Sequence, residues 1–251
     1  MKIDERQMAE YRERGFTRLG RILDEATLEA IRREEERLRL LLFGPVPSGP
    51  RTVFMSQVCH ISEPARLLCT GGPQIDAGVR LVGPDLCLWY NQFVTKLPDA
   101  GTQSSAFPWH QDNGYVPPEP QDNMTVWVAL DDVDEQNGCI YVKPGSHRLG
   151  LLPHRRFSAD VWHLQVDAPG PEEAVPMRAG EAIAFTGLTV HCSKLNLTDK
   201  PRRAFFMEYS RADAYLPSLG VPVIASQHSW LVRGRSTLPP DPAILAFPRC
   251  R

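Results

Sequence analysis

The sequence predicts a mainly β fold, a sandwich or barrel of short strands, with flanking α-helices ahead of it that cover one face. Two observations carry that prediction. Beyond residue 80, short apolar runs rich in β-branched and aromatic side chains recur ("LCLWYNQFVTKL", "MTVWVAL", "CIYVKPGSH", "EAIAFTGLTVHCS", "RAFFMEYS"), divided by Gly, Pro, Asn and Asp. Before residue 43 the apolar spacing is helical instead. The length, 251 residues, suits one large domain, with a helical region over roughly 4–42 and a β core over roughly 80–210.

Taken in order, Glu5 to Glu13 reads as a helix ended by Gly15. Asp24 reads as the N-cap of a second helix carrying Leu28, Ile31, Leu38 and Leu42 at near-helical spacing. Its run "RREEERLR" mixes both signs of charge, the mark of a solvated face. Residues 44–50, "GPVPSGP", break regular structure, and Phe54 to His60 is a short strand or a mobile flap. After the β runs, "RADAYLPSLGVPVIASQHSWLVRGR" (211–235) is a candidate lid, as is 44–50. The tail "STLPPDPAILAFPRCR" looks irregular.

Composition removes several function classes. Hydrophobic residues at 42% and charged residues at 23% are those of a globular chain, and a net charge of -2 argues against a nucleic-acid partner held through phosphates. No apolar run approaches a membrane span, and the first residues lack the apolar segment of a secretory leader. A cytoplasmic location with no membrane partner is expected, as a monomer or homodimer. Cys59, Cys69, Cys87, Cys139, Cys192 and Cys250 have no C-x-x-C spacing and are expected to be reduced, mostly buried, small hydrophobes.

The stretch "PWHQDNGYVPPEP" raises a metal site. On a strand, His110 and Asp112 project from one face while Gln111 points away, and a third ligand would complete a two-histidine, one-carboxylate triad. His-x-Asp alone is common by chance, and a surface turn is its commoner explanation. Among the other histidines, His147 follows a Pro-Gly turn and more naturally caps or packs a loop. His60, His154, His163 and His228 have no acidic or histidine neighbour at strand spacing. His191 closes an apolar run and would sit at the end of an inner strand. Arg202 and Arg203 open the next predicted strand. A guanidinium donates two parallel hydrogen bonds to a carboxylate, so one arginine could reach inward near His191 if the strands are adjacent; a surface pair is the alternative.

Four blocks of the chain, in order, resemble the phytanoyl-CoA dioxygenase family of iron(II) and 2-oxoglutarate-dependent oxygenases. They are "YRERGFTRLGRILDEATLEAIRREEERL", "KLPDAGTQSSAFPWHQD", "VWVALDDVDEQNGCIYVKPGSH" and "HCSKLNLTDKPRRA". The resemblance implies a double-stranded β-helix, a jelly-roll or cupin-like barrel. It implies Fe(II) ligation by His110, Asp112 and His191, with 2-oxoglutarate and O2 as co-substrates. Arg202, eleven positions after His191, matches the arginine that clamps the distal carboxylate of 2-oxoglutarate, and Ser193 a hydroxyl beside it. Gln92 and Trp127 match co-substrate pocket positions, and Arg203 becomes the outward neighbour of Arg202. Gly138, Gly145 and His147 are assigned to turns and scaffold.

The implied reaction is oxidative decarboxylation of 2-oxoglutarate to succinate and carbon dioxide, coupled to attack on an unactivated C–H bond of a small-molecule substrate. Asp112 favours hydroxylation over halogenation, because related halogenases lack that carboxylate. Desaturation, cyclisation and epimerisation share the first hydrogen abstraction. Trp109, Asn113 and Tyr115 are the first candidates for substrate contact, Trp89, Tyr90 and Trp230 line either pocket or core, and Arg51, Arg211 and Arg233 are candidate anchors for an anionic substrate. Two other classes use the same residues: a zinc-dependent cupin-like hydrolase or isomerase, and a non-catalytic metabolite-binding protein.

Overall fold

The computed structural model describes residues 3–44, 51–102, 104–158, 163–226 and 229–235. Helix α1 (Glu5–Arg14) starts in a capping box: the Asp4 carboxylate accepts from the Gln7 N–H, and the Gln7 side chain accepts from the Asp4 N–H. It stops at Gly15, whose φ of 84° is the left-handed conformation that a glycine C-cap adopts without strain. Helix α2 (Glu25–Phe43) is capped by Asp24, which accepts from the Thr27 N–H. Leu28, Ile31 and Leu38 are buried as expected. Leu42 is not. It is 53% exposed, because the last turn of α2 runs past the edge of the core and also leaves Leu40, Leu41 and Phe43 in the open.

The remaining helices, α3 (Glu63–Thr70) and α4 (Pro73–Leu81), were not anticipated. Each is only about two turns long, too short to display a clear periodicity, and Gly71 and Gly72 interrupt the pattern between them.

The strands, all antiparallel, are β1 (Phe16–Arg21), β2 (Thr52–Ser56), β3 (Leu86–Lys96), β4 (Phe107–His110), β5 (Met124–Ala129), β6 (Ile140–Val142), β7 (Arg155–Arg156), β8 (Leu164–Gln165), β9 (Glu173–Val175), β10 (Glu181–Thr186), β11 (His191–Ser193), β12 (Arg202–Arg211), β13 (Tyr215–Leu216), β14 (Val221–Pro222) and β15 (Trp230–Arg233). The large sheet has the order β1-β10-β5-β12-β3-β15, with β2 also beside β3. The small sheet has the order β4-β11-β6-β9. The two form the expected mainly β jelly roll, flanked by helices.

Alternation along the strands divides the large sheet into two faces. On β12, Phe205, Met207 and Tyr209 pack toward the helices with Leu28, Ile31, Leu38 and Ile75, while Ala204 and Phe206 face the small sheet. On β5, Val126 and Val128 join the helix side, and Trp127 and Ala129 the inner side. Arg202 therefore faces inward and Arg203 outward. Arg203 is forked onto Asp131, at 2.7 and 3.0 Å.

Several expectations change. Strands β1 and β2, both before residue 80, belong to the large sheet, so the β architecture is wider than 80–210. Phe54 to His60 is the end of β2 followed by a 3-10 turn over Val58–His60. Within 211–235, β13 and β14 make a small hairpin and β15 returns as an edge strand on β3, so this segment is not one long loop. Arg211 is paired with Asp213 and Asp122, and Arg233 with Asp76, which removes both as free anchors for an anion. Cys59, Cys69, Cys87, Cys139 and Cys192 are buried and free. Cys250, His228, residues 45–50 of the first candidate lid and the tail from 236 lie outside the described residues. No helix among the described residues is long and apolar enough to cross a membrane.

Candidate metal centre and co-substrate pocket

Strand β4 ends at His110, two residues sooner than a shared strand with Asp112 would need. Gln111 keeps an extended backbone (φ -112°, ψ 141°), and Asp112 opens a 3-10 turn through Gly114. The same-face relation of residues i and i+2 therefore survives just past the strand. Gln111 points the other way and is wholly occupied: its amide donates to the Gly150 and Leu188 carbonyls, and its oxygen accepts from the Leu152 N–H.

His191 corrects the sequence reading. "GEAIAFTGLTVHCS" is not one strand but two, in different sheets: β10 ends at Thr186, a turn follows, and His191 begins β11 opposite His110. The crossing brings the three side chains together. One ligand atom from each of His110, Asp112 and His191 lies within 4.8 Å of the others. The two Nε2 atoms are 3.5 and 3.6 Å from Asp112 Oδ1, and the imidazole centroids are 4.1 Å apart.

The orientation of each group is held from behind. The Nδ1 atoms of His110 and His191 lie 2.9 and 3.0 Å from the Pro108 and Thr189 carbonyls, so each ring donates there and leaves its Nε2 lone pair turned to the cluster. Thr125 donates to Asp112 Oδ2 at 2.6 Å. Burial, with His110 nearby, pushes His191 down to about 4, which keeps it a neutral ligand at neutral pH. Burial opposes ionisation of Asp112 too, yet the two histidines and Thr125 outweigh it and its carboxyl is lowered. The result is a set of two buried imidazoles and one carboxylate, the kind that suits iron(II) in oxygenases.

A cavity of about 230 Å³ opens beside this cluster. Gln92, Trp127 and Ser193 all line it, as does Tyr115. The inner face of β12 lies in the other sheet from β11, so Arg202 approaches from across the barrel rather than from a neighbouring strand. It is 1% exposed, and its guanidinium carbon lies 5.3 Å from the centre of the Trp127 ring. Its Nε and Nη1 atoms have no hydrogen-bond partner among the described residues. A buried cation with unmet donors costs several kcal/mol unless an anion joins it, so this end of the barrel fits a carboxylate that comes with a ligand.

Trp109 and Asn113 are not among the residues that line the cavity. Trp109 lies under the Lys143 ammonium, 5.0 Å from its ring centre, and Asn113 is buried against Gly187 and Asn123. Three residues that sequence reasoning passed over belong to the site. Lys96, opposite Arg202 in register, is fully buried and donates to the Ser105, Ser193 and Lys194 carbonyls. Thr125 supports Asp112. Glu208 lines the cavity and accepts from Asn123, and burial reinforced by the Asp112 charge pushes its carboxyl well above the usual range. A signal existed for all three. They stand two, four or six residues from Gln92, Trp127 or Arg202, and so on the same inner face.

The fold and donor set define a non-haem iron oxygenase of the kind that consumes 2-oxoglutarate. The chain belongs to the phytanoyl-CoA dioxygenase family, whose model matches residues 75–204. It is 26% identical over 229 residues to the peroxisomal phytanoyl-CoA dioxygenase of Homo sapiens, covering 82% of this chain and 68% of that one. Its fold is similar to the crystal structure of the non-heme alpha ketoglutarate-dependent carbocyclase SnoK from nogalamycin biosynthesis, with a TM-score of 0.73, 26% identity, and coverage of 90% of this chain and 95% of that one. It is also similar to the epimerase SnoN in complex with Fe3+, alpha ketoglutarate and nogalamycin RO, with a TM-score of 0.69, 27% identity, and coverage of 95% and 92%. Iron and 2-oxoglutarate are the cofactor and co-substrate of this enzyme family.

Proposed function

We propose that this protein hydroxylates an unactivated C–H bond of a small-molecule metabolite, as a tailoring step in natural-product synthesis, with release of succinate and carbon dioxide. The observation that carries the reading is the buried Arg202 guanidinium with unmet donors, in the same barrel as the His110, Asp112 and His191 cluster. A zinc hydrolase or isomerase gives that guanidinium no task.

In this reading, iron(II) with 2-oxoglutarate as co-reductant and O2 as oxidant would supply the chemistry that takes a hydrogen atom from the substrate. The chain supplies position. His110, His191 and Asp112 would hold the metal at the wall of the cavity. Arg202 takes the distal carboxylate of 2-oxoglutarate, Ser193 stands beside it, and Gln92 and Trp127 shape the wall. Tyr115 and the other aromatic side chains around the cluster limit water and side reactions.

The test is iron-dependent formation of succinate from 2-oxoglutarate by the purified chain, with and without candidate metabolites, followed by mass analysis of the product. Hydroxylation adds one oxygen to the product. The solved neighbours include a carbocyclase and an epimerase, so ring closure, with loss of two hydrogens, and epimerisation, with no mass change, are the competing outcomes. No succinate, together with full turnover of a substrate on zinc alone, would reject the oxygenase reading.

A further inference from the structure

Four rungs cross the inner face of the large sheet. The first pairs Lys96 with Arg202, the second Val94 with Ala204 and Ala129, the third Gln92 with Phe206 and Trp127, and the fourth Tyr90 with Glu208 and Thr125. Arg202 and Glu208 are six residues apart on β12, roughly 20 Å at the rise of a strand. The barrel therefore has two chemically different ends. A cationic end lies at Arg202 and Lys96. The other holds Glu208, 4% exposed, whose Oε1 accepts from Asn123 at 2.5 Å.

The charge of the wall between these ends is selective. Among the described residues that line the cavity there are two carboxyl groups, those of Asp112 and Glu208, and neither a lysine nor an arginine. Arg211 and Arg233 are already paired with aspartates. An anionic group placed at the Glu208 end would be desolvated near the Asp112 charge with no lysine or arginine of the lining to meet it. The rest of that end is aromatic, with Trp89, Tyr90 and Tyr115, and such surfaces favour flat rings. Glu208 accepts from Asn123, with Trp89 also acting on its carboxyl, and a carboxyl group with several lone-pair sites keeps acceptor capacity toward the cavity.

We propose that Glu208 is a specificity-determining residue: it accepts a hydrogen bond from a hydroxyl or amine donor on a ring-bearing, non-anionic substrate, and so sets which C–H bond faces the metal. This rests on the oxygenase reading, and it narrows the substrate class. Register supports the positioning. Glu208 lies opposite Thr125, the residue that holds Asp112, so a substrate anchored on Glu208 is measured from the same rung as the metal ligand.

The experiment uses the chain loaded anaerobically with iron(II) and 2-oxoglutarate, with dissociation constants read by NMR titration. The probes are naphthalene, 2-naphthol, 2-(aminomethyl)naphthalene and 2-naphthoate. One or both donor-bearing probes should bind about tenfold tighter than naphthalene, the worth of one buried hydrogen bond, and 2-naphthoate should bind weakest. Whichever donor binds tighter names the donor class. Glu208→Met should remove the preference for the donor without weakening naphthalene, and Glu208→Gln, which keeps an acceptor, should restore it.

Should Glu208→Met fail to fold, the order of the four probes on the unaltered chain decides. Equal or tighter binding of 2-naphthoate, or a donor preference that survives Glu208→Met, overturns the inference. Basal succinate release is measured in parallel. Its presence without probe discrimination rejects the role of Glu208 alone, and its absence with discrimination intact rejects the oxygenase reading alone.

Discussion

Replacing Arg202 with methionine separates a ligand-binding arginine from a structural one, because the two roles predict opposite signs. In the ligand-free chain the guanidinium is buried, and its Nε and Nη1 donate to nothing among the described residues. Its desolvation costs several kcal/mol, against roughly 1–2 kcal/mol of attraction to the Trp127 ring. Arg202→Met keeps most of the aliphatic stem and removes that cost, so the thermal midpoint of the ligand-free protein should stay level or rise. With 2-oxoglutarate the sign reverses. Two hydrogen bonds to a carboxylate, at about 1.5–3 kcal/mol each, amount to about 3–6 kcal/mol, or an affinity loss of about 10²- to 10⁴-fold. The assay pairs anaerobic titration of 2-oxoglutarate with a melt of the same ligand-free samples. A midpoint lowered by about 5 °C or more, with 2-oxoglutarate affinity kept, would refute the reasoning, since it would make Arg202 a packing residue.

Other changes test the neighbours. Arg203→Met should do the reverse of Arg202→Met: breaking the fork to Asp131 costs about 1–3 kcal/mol of stability, visible in denaturant unfolding, with 2-oxoglutarate affinity unchanged. Thr125→Val removes the 2.6 Å hydrogen bond to Asp112 without changing side-chain shape, and iron affinity in an anaerobic titration should fall by about 10- to 100-fold while the circular dichroism spectrum is preserved. His163 is pushed down to about 4 by burial, with His110 and Lys96 adding to it, from an ordinary value of 6.5. The folded chain thus binds fewer protons than the unfolded chain between those values, so its stability is intact above about pH 6.5 and falls as the pH drops toward 4. His163→Phe should flatten that fall in a series of melts, and an equally steep fall would count against the assignment.

The N-terminal helices were legible because their signals are local. Asp4 and Asp24 cap, Gly15 stops, and the apolar spacing names the buried face down to Leu38. Leu42 carries the same spacing and fails, because only the extent of the core decides where a periodic helix runs out of partners. The His110 and Asp112 half of the metal cluster was legible for a related reason, while His191 as its third member came from the family resemblance. An extended backbone sets side chains two apart on one face whether or not a ladder continues, so His110 and Asp112 converge although β4 has ended. What local pattern could not supply was the break inside "GEAIAFTGLTVHCS", since an apolar run reads the same whether its two halves share a sheet or face each other across a barrel.

By itself, then, the sequence determined the mainly β class and the helices that cover it, through period-2 and period-3.6 spacing along one chain. The triad of His110, Asp112 and His191 and the inward Arg202 beside an outward Arg203 came instead from the resemblance of four ordered blocks to the phytanoyl-CoA dioxygenase family. Tertiary structure decided what depends on which strands meet. It drew β1 and β2 into the large sheet, turned Trp109 and Asn113 away from the cavity, tied Arg211 and Arg233 to aspartates, and put Lys96, Thr125 and Glu208 on the inner face of the large sheet. Those outcomes are set by the pairing of strands far apart in the chain, and pairing is chosen by the burial of whole faces rather than by any single stretch of residues.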